Sequence, residues 1–271
     1  MSNHPTTGGG ADSLPVILLV GGFGTRMDSQ AHGVPKPLVE VGGRPIIWHI
    51  MKLYAHFGHT HFILPLGFGS EMFRRYFLEY EALNYDVTFT LGKPESKHYF
   101  GTNHERDWRV TLVEGGLQTS KSGRVRLGWE FAAQDEVFVT YGDGIGDVDV
   151  NAVLAFHRAH GRLATMCGYQ PRSNFGIVEA DADGQVRQLN EKPRQQDWIN
   201  IGFFVFNRGV LPYLQNPEHD LESHVLPQLA ADGQLMMYRH VGFWDKMDTI
   251  KEAQQLSKLW ADSAPWKLWT Q

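Results

Sequence analysis

What most limits the fold of this chain is an alternation of short apolar runs with helical patterns, beginning at Leu14. "LPVILLV" is a continuous apolar run of strand length. It is followed by "RPIIWHIMKLYAHF", where Ile46, Ile47, Ile50, Leu53, Tyr54 and Phe57 fall on one face at helical spacing. "HFILPL" then predicts a second buried strand and "SEMFRRYFLEYEAL" a second helix. Strands bridged by helices build a parallel sheet covered on both faces, because each crossover lays its helix against the sheet. The pattern continues through "YDVTFTL", a polar excursion from Gly92 to Asp107, "WRVTLVEGG", a helix near "GRVRLGWEFAA", the strand "EVFVTYGDG" and the helix "VDVNAVLAFHRAHG". Beyond it the texture changes. "RLATMCGY", "FGIVEADADGQVRQL" and "WINIGFFVFN" are shorter strands with turn signals such as Asp183-Gly184, and they predict an antiparallel extension grafted onto the sheet. "ESHVLPQLAADG", the strand-like "QLMMYRHV", a loop "GFWDKMDT" and the helix "IKEAQQLSKLW" close the chain.

Composition removes several function classes. At 271 residues, without internal repeat or long linker, residues 14–271 are expected to form one α/β domain. Residues 1–13, small, polar and glycine-rich, are expected to be a disordered tail. Lys+Arg 25 against Asp+Glu 30 gives a net charge of −5, and no basic run tracks a phosphate backbone, so nucleic acid is not an expected partner. Cys167 is the single cysteine, which rules out an internal disulfide and a multi-thiolate zinc site. Neither a run of about 18 apolar residues nor a leader-like start is present, so the expectation is a soluble cytoplasmic protein with no membrane partner. His56, His59 and His61 straddle a helix end and a strand without an acid cluster, and zinc is not expected there. The eight tryptophans are read as core and interface, those near "PWKLW" as cover for a subunit contact.

The chemistry is announced by residues 21 to 37, "GGFGTRMDSQAHGVPKP", directly after the first strand. A loop leaving the carboxyl end of a strand in an open α/β sheet sits where such sheets bind ligands. Gly21, Gly22 and Gly24 allow main-chain amides to approach a phosphate, Arg26 offers a planar fork and Lys36 a point charge. A dinucleotide fingerprint fails, since Met27 or Phe23 stands where glycine is required. A P-loop fails too, for want of Gly-Lys followed by Ser or Thr.

"GGFGTRM" and "PKPLVEVGGRPII", followed in order by "TYGDG", "FGIVE", "NEKP", "INIGFF" and "GFWDKMDT", resemble the signature of the sugar-1-phosphate nucleotidyltransferases. The resemblance covers about residues 14 to 269 and is strongest to the members that act on CTP and glucose 1-phosphate. It implies a Rossmann-like, mostly parallel mixed sheet flanked by helices, with a nucleotide-binding half (14–160) and a sugar-binding half with C-terminal helix (161–271). It also implies a homo-oligomer. The implied reaction is in-line displacement at the α-phosphorus of an NTP, giving NDP-sugar and pyrophosphate; thymidylyl-, uridylyl- or guanylyltransferases and inactive regulatory homologues share the pattern.

By the resemblance, Asp143 and Asp248 hold Mg²⁺, Lys36 and Arg26 meet the nucleotide phosphates with Gly21, Gly22, Gly24, Thr25 and Gly142, and Lys192 meets the phosphate of the sugar. The residues alone leave Asp143 open as a turn former and Asp248 as a helix N-cap. Each lysine precedes a proline, which predicts an extended backbone at Lys36 and Lys192. Arg124, in "KSGRVRL", is the implied reader of cytosine, whose O2 and N3 both accept hydrogen bonds. Tyr141, Glu191, Lys192, Asn200 and Gly202 are the implied sugar wall. Ile201 stands where the family usually has glycine, either adding volume to the pocket or, as strand alternation permits, pointing into the core.

Overall fold

A computed structural model describes residues 13–22, 33–102, 104–173 and 175–270. Gly24, Thr25 and Arg26, and residues 1–12 of the expected tail, lie outside the described residues. The apolar runs become a seven-stranded sheet in the order Leu235–His240, Ala164–Tyr169, Ile199–Asn207, Glu136–Tyr141, Val16–Leu19, His61–Leu66, Arg109–Glu114. Val16 lies opposite Phe62 and Phe138 in parallel register. Ile199–Asn207 alone runs antiparallel to its neighbours, with Phe204 opposite Val139 and Met166. The sheet is therefore mixed and mostly parallel, as expected.

Alternation along the strands divides the core in two. Val16, Leu18, Phe62, Phe138, Phe203 and Val205 pack on one face with helices Ile46–His56 and Ile250–Asp262. Ile17, Ile63, Val137, Val139, Phe204 and Phe206 pack on the other with helix Lys121–Trp129 and the Leu221–Ala231 segments. Local signals set the helix ends: Asp149 accepts from the Ala152 amide at the start of Val150–His160, and Gly161 ends it at φ 64. Among the described residues no helix is long and apolar enough to cross a membrane.

Several expectations change in detail. Ala164–Tyr169 and Ile199–Asn207 are members of the main sheet, and of the expected antiparallel extension the hairpin Ile177–Ala180/Val186–Asn190 stands apart as a separate ribbon. Part of the excursion after Gly92 is a strand, Lys93–Phe100, paired with Asp86–Thr90. The second predicted helix breaks at Glu79 into Ser70–Leu78 and Tyr80–Asn84. Trp266 is fully buried and Trp269 nearly so, packed with Trp48 and Trp260. The C-terminal tryptophans thus close this chain's own core and do not offer a subunit surface. His59 is likewise a core connector: its Nδ1 accepts from the Leu14 amide at 3.0 Å and Nε2 faces Asn151.

Candidate active site

Three segments meet at the carboxyl ends of the parallel strands. Val16–Leu19 runs into Gly21-Gly22, and Glu136–Tyr141 into Gly142-Asp143, around a cavity of about 420 Å³. Lys36, Arg124, Tyr141 and Asp143 line it. A Cβ on Gly142 would stand 2.9 Å from Pro37, so the absence of a side chain lets the Lys36 segment close against the strand end.

Asp248 arrives from far along the chain. Within the expected loop, Trp244–Lys246 is a short strand paired antiparallel with Gly144–Gly146, and the Met247 amide donates to the Asp143 carbonyl at 2.9 Å. The Lys36 ammonium then lies 2.6 Å from Asp248 Oδ1 and 3.6 Å from Asp143 Oδ2. Lys246 also pairs with Asp248. Burial alone would raise the Asp248 carboxyl, but hydrogen bonds from Lys246 and Lys36 outweigh it and hold it at about 2. Burial pushes the Asp143 carboxyl up, Lys36 opposes that, and the neighbouring Asp248 charge adds to it. Asp248 does not cap the following helix. Thr249 does, in a capping box with Glu252.

Arg124 is buried and its guanidinium donates from Nη1 to the Leu66 carbonyl at 2.6 Å and the Pro65 carbonyl at 3.2 Å, and from Nη2 to the Gly116 carbonyl at 2.7 Å. A Cβ at Gly21, Gly67 or Gly115 would run into that guanidinium. Gly21 is thus required by Arg124, a role its place in a phosphate-loop pattern did not suggest; Gly22 faces open space. Of the five guanidinium N–H groups, Nε–H and one Nη2–H remain uncommitted among the described residues.

On the other wall the Tyr141 hydroxyl donates to Glu222 and accepts from Asn200 Nδ2 at 3.3 Å. Gly202, at φ 77, lies so close under the Tyr141 ring that a Cβ would collide with it. Ile201 is buried in the core cluster with Phe203 and Val205, which corrects the pocket alternative. Glu191 and Lys192 are exposed and do not line the cavity.

Neither lysine before proline is extended. Lys36 opens a 3₁₀ turn, with the Leu38 amide bonded to the Pro35 carbonyl at 2.8 Å. Lys192 sits at φ 47, in the left-handed region, just before an antiparallel bridge in which the Ser173 amide donates to the Pro193 carbonyl (2.8 Å) and the Gln195 amide to the Pro171 carbonyl (2.9 Å). At Lys36 the turn hydrogen bond outweighs the pre-proline preference.

Lys121, Asp220, Glu222 and Lys246 are the charged groups of this region that sequence reasoning missed. Lys121 and Lys246 stand inside the motifs quoted above, whereas Asp220 and Glu222 carry no local signal.

A cation bound by two acidic groups in a cleft at the strand ends of a mostly parallel sheet is the arrangement of an enzyme that handles phosphates. The chain belongs to the nucleotidyl transferase family, which it matches over residues 15–262. It is 40% identical to a protein of Salmonella typhi named glucose-1-phosphate cytidylyltransferase, over 94% of this chain and 100% of that one. It is 35% identical, with the same coverage, to a probable glucose-1-phosphate cytidylyltransferase of Bacillus subtilis. Among solved structures it shares its fold with HddC from Yersinia pseudotuberculosis (TM-score 0.66, 16% identity, 91% of this chain and 99% of that one). A UDP-glucose pyrophosphorylase complexed with UDP-glucose is similar to the same degree (TM-score 0.65, 13% identity, 92% and 98%).

Proposed function

We propose that this chain joins CTP to a sugar 1-phosphate, glucose 1-phosphate or a related sugar, and releases pyrophosphate. The observation that carries the reading is the Lys36 ammonium held by Asp143 and Asp248 at a cleft walled by Gly21-Gly22 and Arg124 on one side and Tyr141 on the other. The names of the full-length relatives support the same substrates.

In the proposed step an oxygen of the sugar phosphate attacks the α-phosphorus, the bond to the β-phosphate oxygen breaks, and pyrophosphate leaves. The attacking oxygen is already anionic near neutral pH, so no proton must be removed and the work is positioning and charge neutralisation. Lys36 draws charge from the nucleotide phosphates, with Arg26 on the β and γ groups. The two uncommitted N–H groups of Arg124 suit the adjacent acceptors O2 and N3 of cytosine, where uracil and thymine present a donor at N3. Asp143 and Asp248, carboxylates gathered around one positive charge, are the oxygen donors a hard divalent cation such as Mg²⁺ takes together with phosphate. Bound there, Mg²⁺ would neutralise phosphate charge. A homo-oligomer is part of the reading, supported by Phe175, Val178 and Leu189, exposed apolar residues at a lone two-stranded hairpin.

The test is pyrophosphate release across CTP, UTP, dTTP and GTP, each with glucose 1-phosphate and other hexose 1-phosphates. CTP with glucose 1-phosphate or a near relative is expected to be fastest, chelation of divalent cations to stop turnover, and Asp143→Asn or Asp248→Asn to lower kcat at least about a hundredfold. Preference for another base would give the thymidylyl-, uridylyl- or guanylyltransferase alternative, and silence with every pair the inactive regulatory homologue.

A further inference from the structure

Glu222 lies on the Leu221–Val225 π-turn, a type of irregularity that recurs at functional sites. One of its carboxylate oxygens, Oε1, accepts from the Tyr141 hydroxyl and from the Lys121 ammonium, the latter at 2.6 Å. Lys121 begins the helix that carries Arg124, lines the cavity, and stands 5.5 Å from the centre of the Tyr141 ring. The other carboxylate oxygen, Oε2, is buried and meets no N–H or hydroxyl donor among the described residues, with the Asp220 carboxyl beside the Glu222 side chain. Leaving a buried carboxylate oxygen unsatisfied costs stability, so a simple surface ion pair does not account for the arrangement.

The consequence falls on Tyr141. A phenol has one proton, and here it is committed to Glu222. Asn200 cannot reverse the polarity, because its Oδ1 accepts from the Gly202 amide at 2.9 Å, which turns its Nδ2 towards the Tyr141 oxygen. Into the cleft Tyr141 can therefore offer acceptance and no donation.

We propose that Glu222, braced by Lys121, is a positioning residue that fixes the Tyr141 hydroxyl as a hydrogen-bond acceptor for one sugar hydroxyl. This rests on the sugar 1-phosphate reading above. The substrate class it selects is a hexose 1-phosphate with a free hydroxyl at that place, while a deoxy sugar there forfeits that bond, leaves the Tyr141 oxygen with Asn200 Nδ2 alone, and is disfavoured.

The experiment compares Glu222→Leu, Glu222→Gln, Tyr141→Phe and the Tyr141→Phe/Glu222→Leu double variant in the full chain. Glutamine keeps an oxygen for the two donors that face position 222; leucine removes it. Glu222→Leu is expected to raise KM for the sugar phosphate at least about tenfold, leaving kcat and the KM for CTP within about threefold. Glu222→Gln should return near wild type, and the double variant should be no worse than Tyr141→Phe. Losses that multiply, a KM for CTP that rises in step, or a glutamine variant as impaired as leucine would overturn the proposal. Should Glu222→Leu not fold, monodeoxy sugar 1-phosphates decide the matter with wild type and Tyr141→Phe. One deoxygenation should cost wild type about tenfold or more and cost Tyr141→Phe nothing further, and a series in which none behaves so overturns the proposal. Wild-type protein inactive with every hexose 1-phosphate would instead overturn the underlying reading.

Discussion

His49 shows how one residue ties an early strand of this fold to its C-terminal segment. Its Nε2–H donates to the Val41 carbonyl at 2.8 Å, and its Nδ1 accepts from the Trp266 indole at 3.4 Å. That pattern requires the neutral ring, since a second proton would set two donors against each other. Burial, the largest cause, lowers the imidazole from 6.5 to about 4. In the unfolded chain it titrates near 6.5, so the native state binds fewer protons between the two values. Its contribution is present above about pH 6.5 and is lost as pH falls towards about 4, on the order of 3 kcal/mol at most. His61 and His157, also lowered to about 4 chiefly by burial, act in the same window. Urea midpoints measured from pH 7 to 4.5 should therefore fall with acidification, and His49→Gln, which keeps a donor and an acceptor without titrating, should show a shallower slope. Parallel slopes would remove His49 as a source of acid sensitivity.

At the scale of elements, the ladder between Gly144–Gly146 and Trp244–Lys246 decides whether the two aspartates meet. It has only three residue pairs, and Asp147 reinforces it. Asp147 Oδ1 accepts from the Phe243 amide at 2.6 Å and lies 3.2 Å from His240 Nε2, while its own amide donates to the Phe243 carbonyl at 3.1 Å. Asp147→Ala should free the loop that delivers Asp248. The expected outcome is a kcat lowered roughly tenfold, more Mg²⁺ needed for half-maximal rate, and little change in KM for CTP, because positioning is lost and binding surface is not. An unaltered Mg²⁺ titration would show that the ladder holds without Asp147. The same ladder marks the limit of what the sequence discloses. "LPVILLV" and "EVFVTYGDG" declare themselves as strands by unbroken apolar content, and Asp143 by its place between glycines at a strand end. "GFWDKMDT" has neither period nor length, and its pairing exists only because a distant segment runs alongside it. "KPESKHYF" is hidden for a related reason: its strand faces solvent and needs no apolar alternation. Glu222 meets Tyr141 and Lys121 through tertiary packing, which no local spacing encodes.

For the whole molecule, the antiparallel strand Ile199–Asn207 joins the two core faces and one wall of the site in a single element. Phe204 and Phe206 belong to one face; Ile201, Phe203 and Val205 belong to the other, under the helices Ile46–His56 and Ile250–Asp262. Asn200 and Gly202 of the same strand stand against Tyr141. The bulky residue where the family usually has glycine is thereby absorbed by the interior, while Asn200 and Gly202 support Tyr141, which lines the cleft. Ile201→Ala should then act as a core truncation, costing about 2–5 kcal/mol. At about 2–4 °C per kcal/mol for a chain of this size, the melting temperature should drop by roughly 4–20 °C. The ratio of kcat/KM between glucose 1-phosphate and other sugar phosphates should stay as in wild type, since no atom of Ile201 reaches the cavity. A variant that melts normally while that ratio shifts would put Ile201 back in the pocket, and would require the strand to present its opposite face to the cleft.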